Sequence, residues 1–418
     1  MIKHYGVIVI GGGASGMMAA IAAAEHGASV LLIEKNKRLG EKLRITGGGR
    51  CNITNAELDV RVLLKNYGAA EKFLYSAFTT FGVKNTIDFF ENCKLPVKVQ
   101  DRKRAFPESE KAVDVVHVMQ NKLHRLGVKI LLNTAVTSIN TANDKIEGVS
   151  CDGGVYKANS YVFATGGTSR PETGSTGDGF GWLNKLGHTT KTPTPTITPL
   201  ALRDQWVSHL AGVTAKDAGI TFYSNGAKAF KLRGDILFTH FGISGPLILN
   251  NAYKVADILQ AGDVTALLDF FPDINPKLLD QQIISVLNAN GTKLLKNTLT
   301  MLAPKGLTPA LLLKLHTAIN FETKNSEVTK PMREKLVQTL KAMPISIEKL
   351  MGFEKAVVAD GGVELKEIDM RTMRSQKVSN LFITGDLLNI NRPSGGYSLQ
   401  LCWTTGYIAG TQAALKPQ

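Results

Sequence analysis

Cysteine is scarce in this chain, with four residues in 418. Cys51, Cys93, Cys151 and Cys402 are widely scattered, with no CxxC pair and no neighbouring histidine spacing. That excludes a disulfide framework and a Cys/His zinc site as organising devices, and makes reduced thiols the expectation. Long apolar runs are missing as well. A membrane span needs roughly 18 such residues, and the longest candidate here, MMAAIAAA, belongs to a helix near the N-terminus. A strand placed at Tyr5 leaves no room for a signal peptide, so a cytoplasmic location is expected. Acidic charge is also in short supply, 35 Asp and Glu against 49 Lys and Arg, for a formal net charge of +14. Such a balance could attract nucleic acid or acidic substrates. The basic residues are spread along the chain rather than clustered, so a solvated lysine-rich surface is the simpler reading and a nucleic-acid partner is not expected.

What is present is glycine and small apolar residues. Forty glycines and 44% apolar content fit a soluble, turn-rich α/β protein. The length exceeds what one core normally serves, so two or three domains are expected. The segment Tyr5 to Lys35 runs YGVIVIGGGASGMMAAIAAAEHGASVLLIEK: an apolar strand, a glycine turn, a small-residue helix, a second strand and an acid. Gly11, Gly13 and Gly16 occupy the three positions of the G-x-G-x-x-G dinucleotide fingerprint, which turn the chain, admit a pyrophosphate and let helix pack on strand. Ala14 and Ser15 open the helix, whose N–H groups and dipole suit phosphate. Glu34 lies about twenty residues on, where a carboxylate can accept ribose hydroxyls. The alternative is a glycine-rich turn of an ordinary α/β protein.

Past Glu34 comes the dense loop LGEKLRITGGGRCNITN, then helical patterns near Val60–Phe81 and Thr86–Asn92, and a further helix in RAFPESEKAVDVVHVMQNKLHRLG. KILLNTAVTSI reads as a strand ending near Ala135 and Val136, and Tyr161–Ala164 as a buried strand ending in Thr165-Gly166-Gly167. Composition then shifts at TKTPTPTITPL, a linker or edge segment because proline density forbids helix or central strand. Short β-like runs follow to about Val264, three helices are expected within 272–343 (LLDQQIISVLNA, LTPALLLKLHTAI, PMREKLVQTLKAM), and β-like runs return after Pro344. NLFITGDLLN and the helical GYSLQLCWTTGYIAGTQAAL look like the first domain resuming. The expected organisation is a first domain at 1–192, a β-barrel-like insert at 193–271 and 344–375, a helical subdomain at 272–343, and the first domain again at 376–418.

Strand carboxyl ends of an open parallel sheet line one crevice, so Gly13, Gly166 and Asp386 can converge although far apart in sequence. An extended FAD needs an acid at its ribose, amides at its pyrophosphate and an acceptor for its ribitol hydroxyls, a role that suits Asp386. The competing reading is that Asp386 only caps or turns the chain. The strings GGGASGMMAA, LRITGGGRCNITN, FATGG with TGDGFGWLNKLGH, LFTHFGISGP and ITGD…PSGGYSLQ…GYIAG resemble the YhiN/BaiN-like flavoprotein family, which includes aminoacetone-oxidase-type enzymes and is related to fumarate-reductase-type flavoproteins. The resemblance runs from Tyr5 to the C-terminus, and TGGGRCN is its most distinctive string. It implies an α/β fold: a discontinuous Rossmann-like FAD-binding domain with an inserted β-barrel and a helical subdomain. One departure is NINRPSGGYS, where relatives have an acidic and glycine-rich lead and this chain has Arg392.

By this resemblance the cofactor contacts extend from the fingerprint to Lys35, Lys42, Thr46, Gly47, Gly48, Arg50, Asn52, Val136, Thr165, Gly166, Gly385, Asp386, Gly396, Tyr397, Ser398 and Leu399. Gly47 to Gly49 offer bare backbone. Arg50 would bring a fixed charge near phosphate or flavin, or else form a surface salt bridge. Asn52 would contact the cofactor or cap a helix. The helix opening at Gly396 and Tyr397 could stabilise an anionic reduced ring. His240 in FTHFGISGP is a candidate acid or base, or a structural turn residue. Cys51 is a candidate redox thiol, whereas Cys402 and Trp403 read as helix packing. The expected function is FAD-dependent hydride transfer to or from a small organic substrate, by amine oxidation or by NAD(P)H-dependent reduction. Only one dinucleotide fingerprint is present, so NAD(P)H would visit transiently. RNA modification by a flavoprotein and a non-enzymatic flavin-bound interaction module are the alternatives.

Overall fold

The computed structural model describes residues 4–415, which form two compact units, 4–195 with 356–415 and 196–355. The first unit is built on a sheet in the order Lys129–Leu131, Val30–Ile33, His4–Ile10, Gly154–Phe163, Lys145–Cys151 and Val136–Ala142, and Leu381–Ile383 also pairs with Gly154–Phe163. Val7–Ile10 and Val30–Ile33 are buried throughout, as continuous apolar runs covered on both faces should be. Each such side chain contributes about 1.5–3 kcal/mol by leaving water. Pairing is parallel among the five strands that matter most for the site. Ile10 stands opposite Ile33 and Phe163, and Phe163 opposite Ile383. Their carboxyl ends are therefore level, and Gly11, Glu34, Ala164 and Thr384 emerge at one edge.

The first helix, Ala14–Glu25, is packed against the last, Tyr397–Ala414. Small residues make the approach possible. A Cβ at Gly406 or Gly410 would run into the backbone of Ser15 or Ala19. The chain's last segment thus completes the unit that its first segment begins. The strand expected to run on to Ala135 and Val136 is two strands, Lys129–Leu131 and Val136–Ala142. The interruption is held by Asn133 N–H donating to Asn36 O and Thr134 N–H donating to Glu34 O, so the chain bends around the end of Val30–Ile33.

In the second unit, Leu200–Leu202, Gly242–Ser244, Ala227–Thr239, Thr214–Ser224, Val264–Asp269 and Met343–Leu350 close into a barrel. Alternating residues fill it: Ile220 and Phe222, Ile236 and Phe238, Ala266 and Leu268, Ile345 and Ile347 are all buried. Two helices depart from expectation. Pro246–Ala261 lies within the stretch read as β-like, where Pro246 at the first helical position signals a start. Four helices rather than three follow: Pro276–Ala289, Leu295–Leu302, Thr308–Leu315 and Lys330–Lys341. The additional one, Leu295–Leu302, has no side-chain cap to announce it. The barrel also ends earlier than 375. Ala359–Val363 pairs antiparallel with Thr190–Pro195 in the first unit, a two-stranded edge that tolerates prolines.

Candidate functional site

The fingerprint glycines answer three different constraints. Gly11 has φ of +104°, and a side chain there would strike the Ala164 carbonyl. Gly16 lies so close to Gly11 O that no Cβ fits, which seats the first helix on the turn. At Gly13 a Cβ would meet nothing within 4 Å. It would project into an open cleft whose empty space is about 1240 Å³ and which Gly13 itself lines with Gly11, Ala14 and Ser15. The helix start has no side-chain cap, so its first N–H groups are available to an anion.

Glu34, 7% exposed, follows the second strand. Its Oε2 accepts from Gly12 N–H at 2.6 Å and its Oε1 from Asn36 N–H at 2.8 Å. A carboxylate has about four acceptor positions, so two stay open for hydroxyls. Beside it, Lys35 Nζ donates to Thr176 Oγ1 at 2.6 Å and Asp178 Oδ2 at 2.7 Å, and Asn36 Nδ2 donates to Thr173 O at 3.0 Å. The interrupted strand supplies Thr134, Ala135 and Val136 to the lining.

Further along, the cleft is lined by Lys42, Thr46, Thr165, Gly166, Asp386, Arg392, Ser398, Leu399 and Cys402. Asp386 is the charged centre of this part. Arg392 donates to its Oδ1, and Lys42 Nζ approaches its Oδ2 at 3.3 Å. Burial alone would raise the carboxyl's pKa, but Arg392 and then Lys42 outweigh it and hold it down at about 2. Burial pushes the Cys402 thiol up to about 12. Thr165 Oγ1 is buried without a partner, a polar atom left for a ligand to satisfy. A bare glycine cradle, uncapped helix N–H groups, a backbone-held acid and an unpaired hydroxyl together fit the demands of FAD.

Other expected residues lie outside this lining. Gly16 and Gly385 act in packing; a Cβ at Gly385 would meet Ser15. Gly47 and Gly48 sit in an exposed turn, and Gly396 caps the last helix ahead of Tyr397, whose carbonyl accepts from Tyr67. Arg50, expected near phosphate or flavin, instead stacks 4.3 Å from the Phe106 ring centroid and bonds Gln100 and Glu110. The alternative reading, a surface ion pair, describes it. Asn52 has a buried, unpaired Oδ1 and stands next to Gly47. Cys51 is fully buried with its pKa pushed up to about 12 by that burial, the opposite of a reactive thiolate. His240 is exposed in the barrel turn after Ala227–Thr239, edge-on to Phe241. Its motif serves that turn, with Thr239 Oγ1 bonded to Gly242. Cys402, read as packing only, faces the cleft, whereas Trp403 is buried and donates to Ile53 O. Asn36, Thr173, Asp178 and Trp182 were not anticipated. The Gly174–Asp178 run GSTGD ahead of a helix is the signal that could have found some of them.

The family model of the HI0933-like protein Rossmann domain matches residues 5–412. The chain belongs to this family. Within it, the chain is similar to the 3-dehydro-bile acid delta(4,6)-reductase of Clostridium scindens, 31% identical over 98% of this chain and 99% of that protein. It is also similar to the ribosomal RNA dihydrouridine synthase of Haemophilus influenzae, 26% identical over 96% of each. Among solved structures, the 3-ketosteroid-delta4-(5alpha)-dehydrogenase of Rhodococcus jostii RHA1 has the same fold, with a TM-score of 0.56, 15% identity, and coverage of 99% of this chain and 97% of that one. HI0933-like membership accounts for the unbroken extent of the match, across both units.

Proposed function

We propose that this protein is an FAD-dependent oxidoreductase that reduces an activated carbon–carbon double bond of a small organic substrate, with NAD(P)H as a visiting electron donor. The observation that carries the reading is the cleft at the level strand ends, where Gly13 leaves a bare cradle between a backbone-held Glu34 and a cation-held Asp386. The chemistry FAD supplies when bound is reversible acceptance and donation of a hydride. The protein's own part is binding and electrostatics. N–H groups of the first helix receive the pyrophosphate. Glu34 and Asp386 accept hydroxyls at two points of the cleft. Ser398 and Leu399, in the first turn of the last helix, line the same cleft, and the positive end of that helix favours an anion there. The name of the Clostridium scindens relative, a reductase, supports reduction over amine oxidation.

No helix among the described residues is long and apolar enough to cross a membrane. Four free cysteines fit a reducing compartment, and we place the activity in the cytoplasm. The test is the absorption spectrum after FAD addition, followed by anaerobic mixing with NADH or NADPH and then with an α,β-unsaturated ketone. Bleaching by a pyridine nucleotide and recovery of colour with the ketone is the expected result. Absence of flavin bands overturns the reading. The name of the Haemophilus influenzae relative supports RNA as a second substrate class. Salt-dependent binding of ribosomal RNA, with colour recovered by RNA and not by the ketone, would select it.

A further inference from the structure

Arg392 is a buried cation, 3% exposed, in the loop between the Asp386 turn and the last helix. It precedes Pro393, which biases its backbone to an extended form. Its guanidinium reaches six residues in both directions along the chain: Nη2 donates to Asp386 Oδ1, and Nε donates to Ser398 Oγ at 3.1 Å. Nη1 donates to Ile390 O at 2.7 Å. Resting on the FAD reading above, we propose that Arg392 is a positioning residue: it clamps the Asp386 turn to the first turn of the last helix and keeps the Asp386 carboxylate as an acceptor for the cofactor. A guanidinium bonded to protein on all three nitrogens and almost wholly buried is a strut, poorly placed to capture an anionic substrate. Arginine suits the task because its planar fork can hold two acceptors at fixed angles.

Lys42 cannot replace it. Its ammonium is 3.3 Å from Asp386 Oδ2, shares its contacts with Ser169, and sits on a side chain 25% exposed. The other ionisable groups near the pair are Cys402, facing Asp386 and Arg392, and Tyr67, facing Arg392. Burial pushes both pKa values well up, so neither ionises below neutrality. Between pH 4.5 and 8, Asp386 is therefore the group of this cluster whose charge depends on Arg392.

The test measures the FAD dissociation constant of the full chain by flavin fluorescence from pH 8 to 4.5, for the wild type, Arg392→Gln and Arg392→Lys. Wild type should change less than about twofold across that range. Arg392→Gln should bind about tenfold more weakly at pH 4.5 than at pH 8, the loss for a carboxyl that burial, no longer outweighed by Arg392, leaves about nine-tenths protonated at the lower pH. Arg392→Lys keeps the charge and should stay flat with pH, while binding about threefold more weakly throughout for the lost second hydrogen bond. A flat profile for Arg392→Gln overturns the proposal. If that variant does not fold, Arg392→Lys decides: wild-type affinity at every pH overturns the clamp. A wild type that binds no FAD at any pH overturns the parent reading instead.

Discussion

Glu34 and Asp386 are two carboxylates on one cleft, held by opposite means. Glu34 is held by backbone N–H groups of Gly12 and Asn36, and no cation contacts it among the described ion pairs. Asp386 is held by two side-chain cations, Lys42 and Arg392. Backbone donors do not titrate and survive every substitution but proline, so the Glu34 end is fixed by the fold. Side-chain donors can be changed one at a time, so the Asp386 end is adjustable. The difference separates a part of the site that recognises a constant feature of a cofactor from a part that can be tuned.

Removing the Asp386 charge should break the comparison most severely. In Asp386→Asn, Arg392 keeps its charge with its side chain only 1% exposed. Breaking a buried pair from one side costs about 3 kcal/mol or more, so apo-protein stability by chemical unfolding should fall by that amount. The loss depends on pH. The native carboxyl, at about 2, lies below its ordinary value of 3.8. Its contribution is therefore complete above about pH 4 and is lost as the pH falls toward 2, amounting to about 2 kcal/mol. Acid unfolding of Asp386→Asn should accordingly be shallower than that of the wild type across this window. Parallel curves would show that the cation pair does not hold Asp386 ionised.

Glu34→Gln should have a smaller effect on the fold and a clear one on binding. The amide offers one oxygen where the carboxylate offers two, so one of the N–H groups of Gly12 and Asn36 faces an NH₂. That mispairing costs the fold about 2 kcal/mol, and offering a cofactor hydroxyl an amide in place of a charged acceptor should separately weaken FAD binding by about 2 kcal/mol, roughly 30-fold in equilibrium titration. No buried cation is orphaned, so apo stability should fall less than in Asp386→Asn. The reverse ranking would mean that the two ends are not held differently.

The same contrast explains what could be read from the sequence. The partners of Glu34 are near it in the chain or in the fingerprint, and the βαβ unit was legible because strand, turn, helix and acid occur within 31 residues. The discontinuous first unit was legible too, because FATGG and ITGD repeat the same strand-to-turn grammar. Asp386 could be placed at a strand end, but not its company: Lys42 is 344 residues away, and a lysine carries no local mark of a distant partner. Arg392 stood out as a departure, yet its burial depends on the loop folding back between Asp386 and Ser398. The partners of Arg50 are hidden for a similar reason. Its glycine-rich neighbourhood suggested phosphate, whereas its orientation is set by Phe106 and Glu110, brought alongside by an antiparallel hairpin. Pro246–Ala261 was hidden because its apolar residues are short runs that fit strand and helix alike.

Lys35 gives the smallest test, and it probes whether the Glu34 end is wholly independent of side-chain charge. Its ammonium bridges to Thr176 and Asp178, more than 140 residues later, across the lining near Glu34. The ion pair is well exposed, 30% and 45% for the two side chains. An exposed pair is worth about 0.5 kcal/mol, so Lys35→Ala should release FAD about twofold faster in a stopped-flow displacement experiment. Screening at about 1 M salt should erase the difference between variant and wild type. The equilibrium unfolding of the apo-protein should barely change, since no buried group loses a partner. A tenfold faster release would instead make the 173–178 segment a charge-held cover, and the Glu34 end would then be adjustable in the same way as its counterpart.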